Sequence, residues 1–539
     1  MTVEKMTAEI GTAEIKTWPG YRELPERVNI CAEALDRQIA AGLADKAAFV
    51  SDRGEITYAA LAAQVNAMAS GLEGLGIGRG TPVLIRLTNS LDYAVAFLAL
   101  VRLGALPVLM NSLLGPEEVD YVMEHSEAEA AITFGDIAEP LRALRGRLPK
   151  GVIVARGAEG DDISFEALIE AGQGKTVSPA DTLANEPAFS VYTSGTTGRP
   201  KGIVHAHRWI VAQGDMNRLR IAPQPGDVVM ATGEWSFISA LGHNVLFALR
   251  NGITGAILEG RSRPERVLEA VEKFRVTLIY SVATVYRRIL AIRGVENRYD
   301  LTSLRGCNAT GEALEAATYD EWVSRIGCPI WEHYGVSELQ LVFGQSPHWP
   351  VRPGSVGKPL PGTRVEVLDD DYNPLPPGEV GHLLIASDNP GFFLGYHKDP
   401  AKTAEVVHDG WYHTGDLAYA DEDGYLWIAG RSDDCFKSRG IFISPIEIEN
   451  ALRQQDGVAE VCVVPLPDKE IGNRIRAVVV LRDGAAGSDD LAASMRAALR
   501  ERIAPYKVPQ VIEFADDLPR SPVGKVLRRA LIEQTAGKG

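Results

Sequence analysis

The sequence predicts an α/β protein: a large N-terminal domain of mostly parallel sheets flanked by helices, a small β subdomain, and a small, mobile α+β domain at the C-terminus. Three observations predict it. From about residue 30, apolar stretches at helical spacing alternate with short β-rich runs, and helical crossovers between apolar strands make parallel sheets covered on both faces. From Val356 the texture changes to strands punctuated by Gly and Pro. Around Arg431-Ser432-Asp433-Asp434 the chain starts again and continues for roughly a hundred residues, the size of a compact domain. At 539 residues the chain exceeds one core. The boundaries read as 1–430 for the large domain, 431–434 for a hinge and 435–539 for the small domain.

The elements follow in order. Leu61, Val65, Met68, Leu72 and Leu75 recur at spacings of four and three, so they form one helical stripe, and Val83-Leu84-Ile85 follows as a strand. Helix 91–103 with strand 106–110, and helix 116–126 with strand 130–133, repeat the unit. Further on, strands at 254–258, 277–281, 305–308 and 329–333 alternate with helices at 264–274, 284–292 and 312–325. Strands at 363–368 and 382–385 belong to the β subdomain. The last domain reads as helix 445–453, strands 458–464 and 474–481, helix 490–503 and strand 510–514.

Hydrophobic residues at 45% and charged residues at 23% describe an ordinary globular protein. A net charge of −16 argues against a nucleic-acid or anionic-membrane surface. Cys31, Cys307, Cys328, Cys435 and Cys462 are scattered and odd in number, which indicates neither a disulfide framework nor a zinc site and suits a reducing compartment. The longest apolar run, residues 93–101, is too short to span a bilayer. Residues 1–25 read as a loosely ordered leader without a signal-peptide core. A cytoplasmic monomer or homodimer is expected.

The stretch Tyr192-Thr193-Ser194-Gly195-Thr196-Thr197-Gly198-Arg199-Pro200-Lys201-Gly202 concentrates groups that bind anions. Its glycines let backbone N–H groups point at a phosphate, its hydroxyls add donors, and Arg199 and Lys201 bring positive charge. A strand at 188–192 precedes it and a helix at 207–219 follows, so it reads as a strand-to-helix turn. The plainer alternative is a Gly/Thr-rich surface loop. It is no P-loop, because the residue after Lys201 is Gly202, with no hydroxyl for a metal.

That stretch resembles the signature loop of the adenylate-forming superfamily, which comprises acyl-CoA synthetases, peptide-synthetase adenylation domains and firefly-type luciferases. Four further segments are similar to the family's motifs, in the family's order. They are Gly311-Glu312-Ala313-Leu314, Tyr334-Gly335-Val336-Ser337-Glu338, Tyr412-His413-Thr414-Gly415-Asp416 continued by Gly430-Arg431-Ser432-Asp433, and the loop around Lys525. The resemblance implies that Thr193, Ser194, Gly195, Thr196, Thr197, Gly198 and Lys201 hold the β- and γ-phosphates of ATP. It further implies that Gly311, Glu312, His333, Tyr334 and Gly335 surround the adenosine, with Tyr334 stacked on adenine. Ser337 contacts the α-phosphate, Glu338 binds Mg²⁺, Asp416 accepts the ribose hydroxyls and Arg431 supports the nucleotide. For Glu312 the plain alternative is a βα turn with an acid in the first helical turn, favoured by the dipole alone.

By the same resemblance Asp433 is the hinge, Lys437, Ser438, Arg439 and Gly440 meet coenzyme A, and Lys525 reaches the forming carboxylate–phosphate bond. The implied reaction is two-step: a carboxylate attacks the α-phosphate and releases pyrophosphate, and the CoA thiol then displaces AMP. Thr193, Ser337, Glu338 and Lys525 are the catalytic residues this implies. Trp235, Phe237, Leu241, Gly242, His243, Leu339 and Leu341 fall in segments that line the family's acyl pocket. With His243 the only basic residue among them, they suit an uncharged hydrophobic acid, in texture similar to benzoate- and aminobenzoate-CoA ligases. For Trp235 and Phe237 the alternative is core packing. The competing functions are a medium-chain acyl-CoA synthetase, an adenylation enzyme charging a carrier protein, and a non-catalytic nucleotide-binding protein, which would be expected to lack Glu338 or Lys525.

Overall fold

The computed structural model describes residues 24–193, 199–260, 262–360, 362–439, 441–468, 470–482, 486–520 and 526–536. These divide into two compact units. One comprises the described residues through Arg364 together with Ala386–Tyr412; the other comprises Val365–Ile385 and the described residues from His413 onward.

The first unit holds two large sheets. In one of eight strands, Pro187–Thr193, Leu106–Leu109, Pro82–Arg86, Ala130–Phe134, Val152–Ala155 and Ile163–Ser164 run parallel as neighbours. Ala130–Phe134 and Val152–Ala155 are buried at every position, as a sheet covered on both faces requires. Lys201–Ala206 and Gly395–Tyr396 complete one edge in antiparallel pairing. The helices between strands start where local chemistry satisfies their first N–H groups. Ser90 accepts from the Tyr93 amide at 3.1 Å, and Pro116 and Pro264 each open a helix with the residue that has no N–H to lose.

The second sheet has nine strands. Ile330–Tyr334, Gly306–Ala309, Leu278–Ser281, Val228–Ala231, Thr254–Ala256 and Ala47–Ser51 lie parallel in that order, with antiparallel strands at both edges. In the second unit Val458–Asp468 and Gly472–Leu481 form an antiparallel pair, and Val511–Ala515 adds in parallel. Helices Pro445–Arg453 and Asp489–Arg500 carry apolar residues of the same core. Arg528 pairs with Glu449 and with Asp434 at 3.3 Å.

Two expectations need correction. The anion-binding stretch lies between two antiparallel strands and not between a strand and a helix: Thr193 pairs with Lys201 and Val191 with Ile203, and the helix begins only at Trp209. Lys201–Ala206 buries Gly202, Ile203, His205 and Ala206 and takes its ladder bonds from a neighbour earlier in the chain, which helical periodicity after residue 207 does not reveal. The helix expected from residue 312 begins at Ala316, after an extended Glu315. Glu312 therefore lies outside the helix, and its carboxylate instead accepts the Thr284 amide and meets Arg287 at 3.3 Å. A dipole explanation for Glu312 falls with it.

Candidate active site

The strands Gly306–Ala309 and Ile330–Tyr334 are parallel neighbours, with Ala309 opposite Glu332, so the loops that follow leave the same edge of the sheet. This is the edge at which open parallel sheets take up ligands. After Tyr334 the chain folds back at once: Gln340 N–H donates to Val336 O at 2.6 Å, and Gln340 adopts φ +90°. A Cβ on Gly335 would lie 1.5 Å from the Gln340 carbonyl oxygen, so only glycine fits. That fold-back turns Glu338 inward, where it is 4% exposed.

A buried carboxylate needs partners. Glu338 Oε1 receives the Tyr396 hydroxyl at 2.6 Å and Lys201 Nζ at 3.0 Å. Lys201 Nζ also lies 2.9 Å from the Tyr396 oxygen and 4.3 Å above the Tyr396 ring. The Tyr412 hydroxyl is a further hydrogen-bond partner of Glu338. Burial first, then the Glu338 charge, pushes both phenols above their ordinary range, so they stay protonated and can donate. Lys201 opens the strand Lys201–Ala206, Tyr396 ends the edge strand paired to it, and Glu338 comes from the loop of the other sheet. One ion pair thus joins the two sheets through the residues the motifs single out. Tyr396 was not among them, because 195 positions separate it from Lys201 and a Gly-Tyr pair carries no signal of its own.

His205 fixes the same junction from below. Its ring is fully buried against Phe189 and Trp209, and its Nε2 meets the Ser337 carbonyl at 2.9 Å. Burial lowers its pKa to about 3, so the ring is neutral and donates from Nε2. Ser337 is therefore held through its backbone. Thr193 ends the strand paired with Lys201. Tyr334 is half-buried and stacks on Phe343, with ring centroids 4.6 Å apart and planes 6° from parallel. Gly311 has φ +84° and opens the exposed segment that includes Glu312. Glu332, also missed in the sequence, is buried with the Leu314 amide on its carboxyl at 3.1 Å, and burial raises its pKa far above the carboxylate range.

The acyl-pocket residues divide. Trp235 is 1% exposed and packs on Phe49 and edge-on to Tyr93, whereas Phe237 is 37% exposed. Leu241, Gly242, His243, Leu339 and Leu341 are buried. His243 is not in apolar surroundings: it stacks on Tyr280 at 3.8 Å and sits between Asn217 and Gln340, each 3.0 Å from a ring nitrogen. Beyond Tyr280 lies Arg220, 1% exposed, bonded to the Gln345 carbonyl at 3.0 Å and to Asn308.

In the second unit Asp416 and Arg431 are cross-strand partners, and Arg431 reaches Asp416 at 3.3 Å, the Thr414 carbonyl at 2.8 Å and Asp433 at 3.2 Å. A Cβ on Gly415 would lie 2.7 Å from the Arg431 guanidinium. Lys437 and Arg439 are exposed; Ser438 is buried and donates to the Asn473 carbonyl at 2.6 Å. Ser194, Gly195, Thr196, Thr197, Gly198, Gly440 and Lys525 lie outside the described residues, as does most of the expected leader.

Comparison with known proteins decides the family. A model of the AMP-binding enzyme family matches residues 35–397, and one of the AMP-binding enzyme C-terminal domain matches residues 447–525. The chain is a member of the AMP-binding enzyme family. The ligase is 34% identical over 518 residues to a 3-hydroxybenzoate–CoA ligase of Aromatoleum sp. (strain CIB), covering 94% of this chain and 97% of that one. It is 32% identical to a benzoate–CoA ligase of Thauera aromatica, covering 96% and 98%. Among solved structures, the anthranilate CoA ligase AuaEII in complex with anthranoyl-AMP superposes with a TM-score of 0.89 at 30% identity, covering 96% of this chain and 99% of that one. The ligase is thus an adenylate-forming enzyme of the AMP-forming acid–CoA ligase type, as the motifs implied, with the two-part α/β fold expected.

Proposed function

We propose that the ligase activates an aromatic carboxylic acid of the benzoate type with ATP and passes the acyl group to CoA. The observation that carries the reading is the pairing of Lys201 and Tyr396 with the buried Glu338 at the ligand-binding edge of the sheet, in a chain similar along almost its whole length to benzoate- and hydroxybenzoate-CoA ligases. Lys201 meets the β- and γ-phosphates, Asp416 takes the ribose hydroxyls, and Lys525 brings charge to the carboxylate as it attacks phosphorus. No protein nucleophile is needed; positioning and charge neutralisation carry the reaction.

Mg²⁺ suits Glu338. Among the described residues no three acidic, histidine or cysteine side chains cluster as a metal cage, and a single buried carboxylate beside polyphosphate is how this ion is commonly held, its other ligands being phosphate oxygens and water. When bound it supplies neutralisation of phosphate charge. Phe237, Leu241, Gly242, Leu339 and Leu341 border the ring of the acid, and Asp433 is the hinge about which the small domain exchanges the Lys525 face for the CoA-binding face at Lys437–Gly440.

ATP–pyrophosphate exchange measured over a panel of benzoates, medium-chain fatty acids, acetate and amino acids, with and without CoA, tests this. Exchange supported by benzoates in the absence of CoA is expected. Exchange supported only by acetate or amino acids would refute it.

A further inference from the structure

The turn that carries Ser337 and Glu338 is tethered at every second residue by side chains from elsewhere in the fold. His205 donates to the Ser337 carbonyl at 2.9 Å and Trp209 Nε1 to the Leu339 carbonyl at 3.3 Å, while the Leu341 amide donates to Gln213 Oε1 at 3.3 Å. Trp209, Gln213 and Asn217 stand four apart in the helix Trp209–Ile221 and so share one face. The Asn217 carboxamide lies 3.0 Å from His243 Nδ1, and the Gln340 carboxamide 3.0 Å from His243 Nε2. Burial keeps His243 neutral, so its ring donates to one carboxamide and accepts from the other. Tyr280 holds the ring from one side, stacked at 3.8 Å and 15° from parallel.

Gln340 is the strained member of this turn. Its φ of +90° is a left-handed conformation that glycine adopts freely and that a residue with a side chain keeps only where its surroundings hold it. A glycine at 340 would serve the backbone alone, so what the position adds is the glutamine side chain and its bond to His243. Room for that bond comes from Gly242, where a Cβ would stand 3.2 Å from the carboxamide. His243 itself belongs to the π-helical turn Gly242–Leu246, a distortion that frequently marks a functional position. The Gln340 and Leu339 N–H groups both donate to the Val336 carbonyl, at 2.6 and 3.1 Å, and so close the turn around Glu338.

We propose that His243 and Gln340 are positioning residues for Glu338. The chain Asn217–His243–Gln340 pins the strained residue of the turn, and the turn pins the carboxylate two residues earlier. The relay therefore acts on Glu338 through the backbone. Cutting it leaves the carboxylate in the protein but loosens the backbone that aims it, so more Mg²⁺ is needed to fill the site. This role rests on the reading of Glu338 as the Mg²⁺ carboxylate proposed above.

The test uses three variants of the full chain: Gln340→Met, which keeps the length of the side chain without its carboxamide, His243→Phe, which keeps a ring against Tyr280, and the two together. Three quantities are read: the Mg²⁺ concentration for half-maximal ATP–pyrophosphate exchange at saturating acid, deuterium uptake by residues 335–342 in the metal-free enzyme, and the melting temperature. Each single variant strands a buried partner and should melt lower, whereas the double variant removes both groups and should regain part of that loss. The half-maximal Mg²⁺ concentration should rise about three- to tenfold in all three variants, the double included, and deuterium uptake by the segment should quicken by a similar factor. A role in packing alone predicts the opposite, with the Mg²⁺ requirement recovering alongside the melting temperature. That recovery, or a Mg²⁺ requirement or deuterium uptake unchanged in both single variants, would overturn the inference. A native enzyme that supports exchange with no acid would instead remove the reading of Glu338, and this inference with it.

Discussion

Removing a single oxygen atom, in Tyr396→Phe, isolates what holds Glu338 in place. The ring remains, and with it the packing and the cation–π contact to Lys201 at 4.3 Å. What goes is the 2.6 Å bond to Glu338 Oε1 and the 2.9 Å contact to Lys201. Hydrogen bonds to a charged group contribute about 1.5–3 kcal/mol, and the Glu338 side chain is 5% exposed, so little solvent screening reduces that figure at the carboxylate. If Glu338 must be held for the phosphates and their metal, adenylation falls by roughly ten- to a hundredfold. The assay is pyrophosphate exchange at saturating acid across a Mg²⁺ titration, in which the variant should need more Mg²⁺ for half-maximal rate. Its melting temperature should move by only a few degrees. Exchange within about twofold of the native enzyme at every Mg²⁺ concentration would refute the positioning argument.

Trp235→Ala should destabilise the protein by about 3–5 kcal/mol in urea unfolding, because Trp235 fills the core between Phe49 and Tyr93. Phe237→Ala, at an exposed position, should leave stability within about 0.5 kcal/mol and alter relative rates among acids instead. Acid pH should weaken the fold through the buried histidines. The folded-state pKa values of His205 and His207 are lowered by burial to about 3 and about 4, below the ordinary value of 6.5, so the unfolded chain binds the extra protons and stability is lost as pH falls from about 6.5 towards 4. Urea midpoints at pH 7 and pH 5 should differ, and His205→Gln should reduce the difference; equal midpoints in the native protein would contradict the neutral, buried assignment. Lys525→Ala should abolish adenylate formation while leaving thioester formation from supplied acyl adenylate largely intact, and equal loss of both half-reactions would sink the division of labour between the two domains.

How much of this was legible in the sequence depended on how local the cause was. Helices Pro116–Ser126, Pro264–Phe274 and Pro445–Arg453 have the bounds read from the sequence, because a proline at the first position and an apolar stripe are properties of adjacent residues. Eight strands of the parallel sheets were legible within about two residues for the same reason, whereas Ala47–Ser51, Val152–Ala155, Ile163–Ser164 and Val228–Ala231 were not read from the sequence. The strand Lys201–Ala206 was not legible, since its ladder partner gives a strand no periodic signature that outweighs a Gly/Thr-rich turn and a following helix. Glu338 and Lys201 were legible as members of motifs, but not as partners. Their union through Tyr396, and the meeting of Asn217, His243 and Gln340, exist only once the sheets are built. The apolar look of residues 232–243 likewise concealed a polar chain, because Asn217 and Tyr280 come from other elements.

The central claim is that the acid's own oxygen attacks the α-phosphate. Benzoate labelled with ¹⁸O in both carboxylate oxygens, or the best acid of the panel so labelled, can be turned over with ATP and CoA and the products weighed by mass spectrometry. One ¹⁸O in AMP, one in the acyl-CoA and none in pyrophosphate is the predicted outcome. Label in inorganic phosphate with ADP as the nucleotide product, or unlabelled AMP, would contradict it.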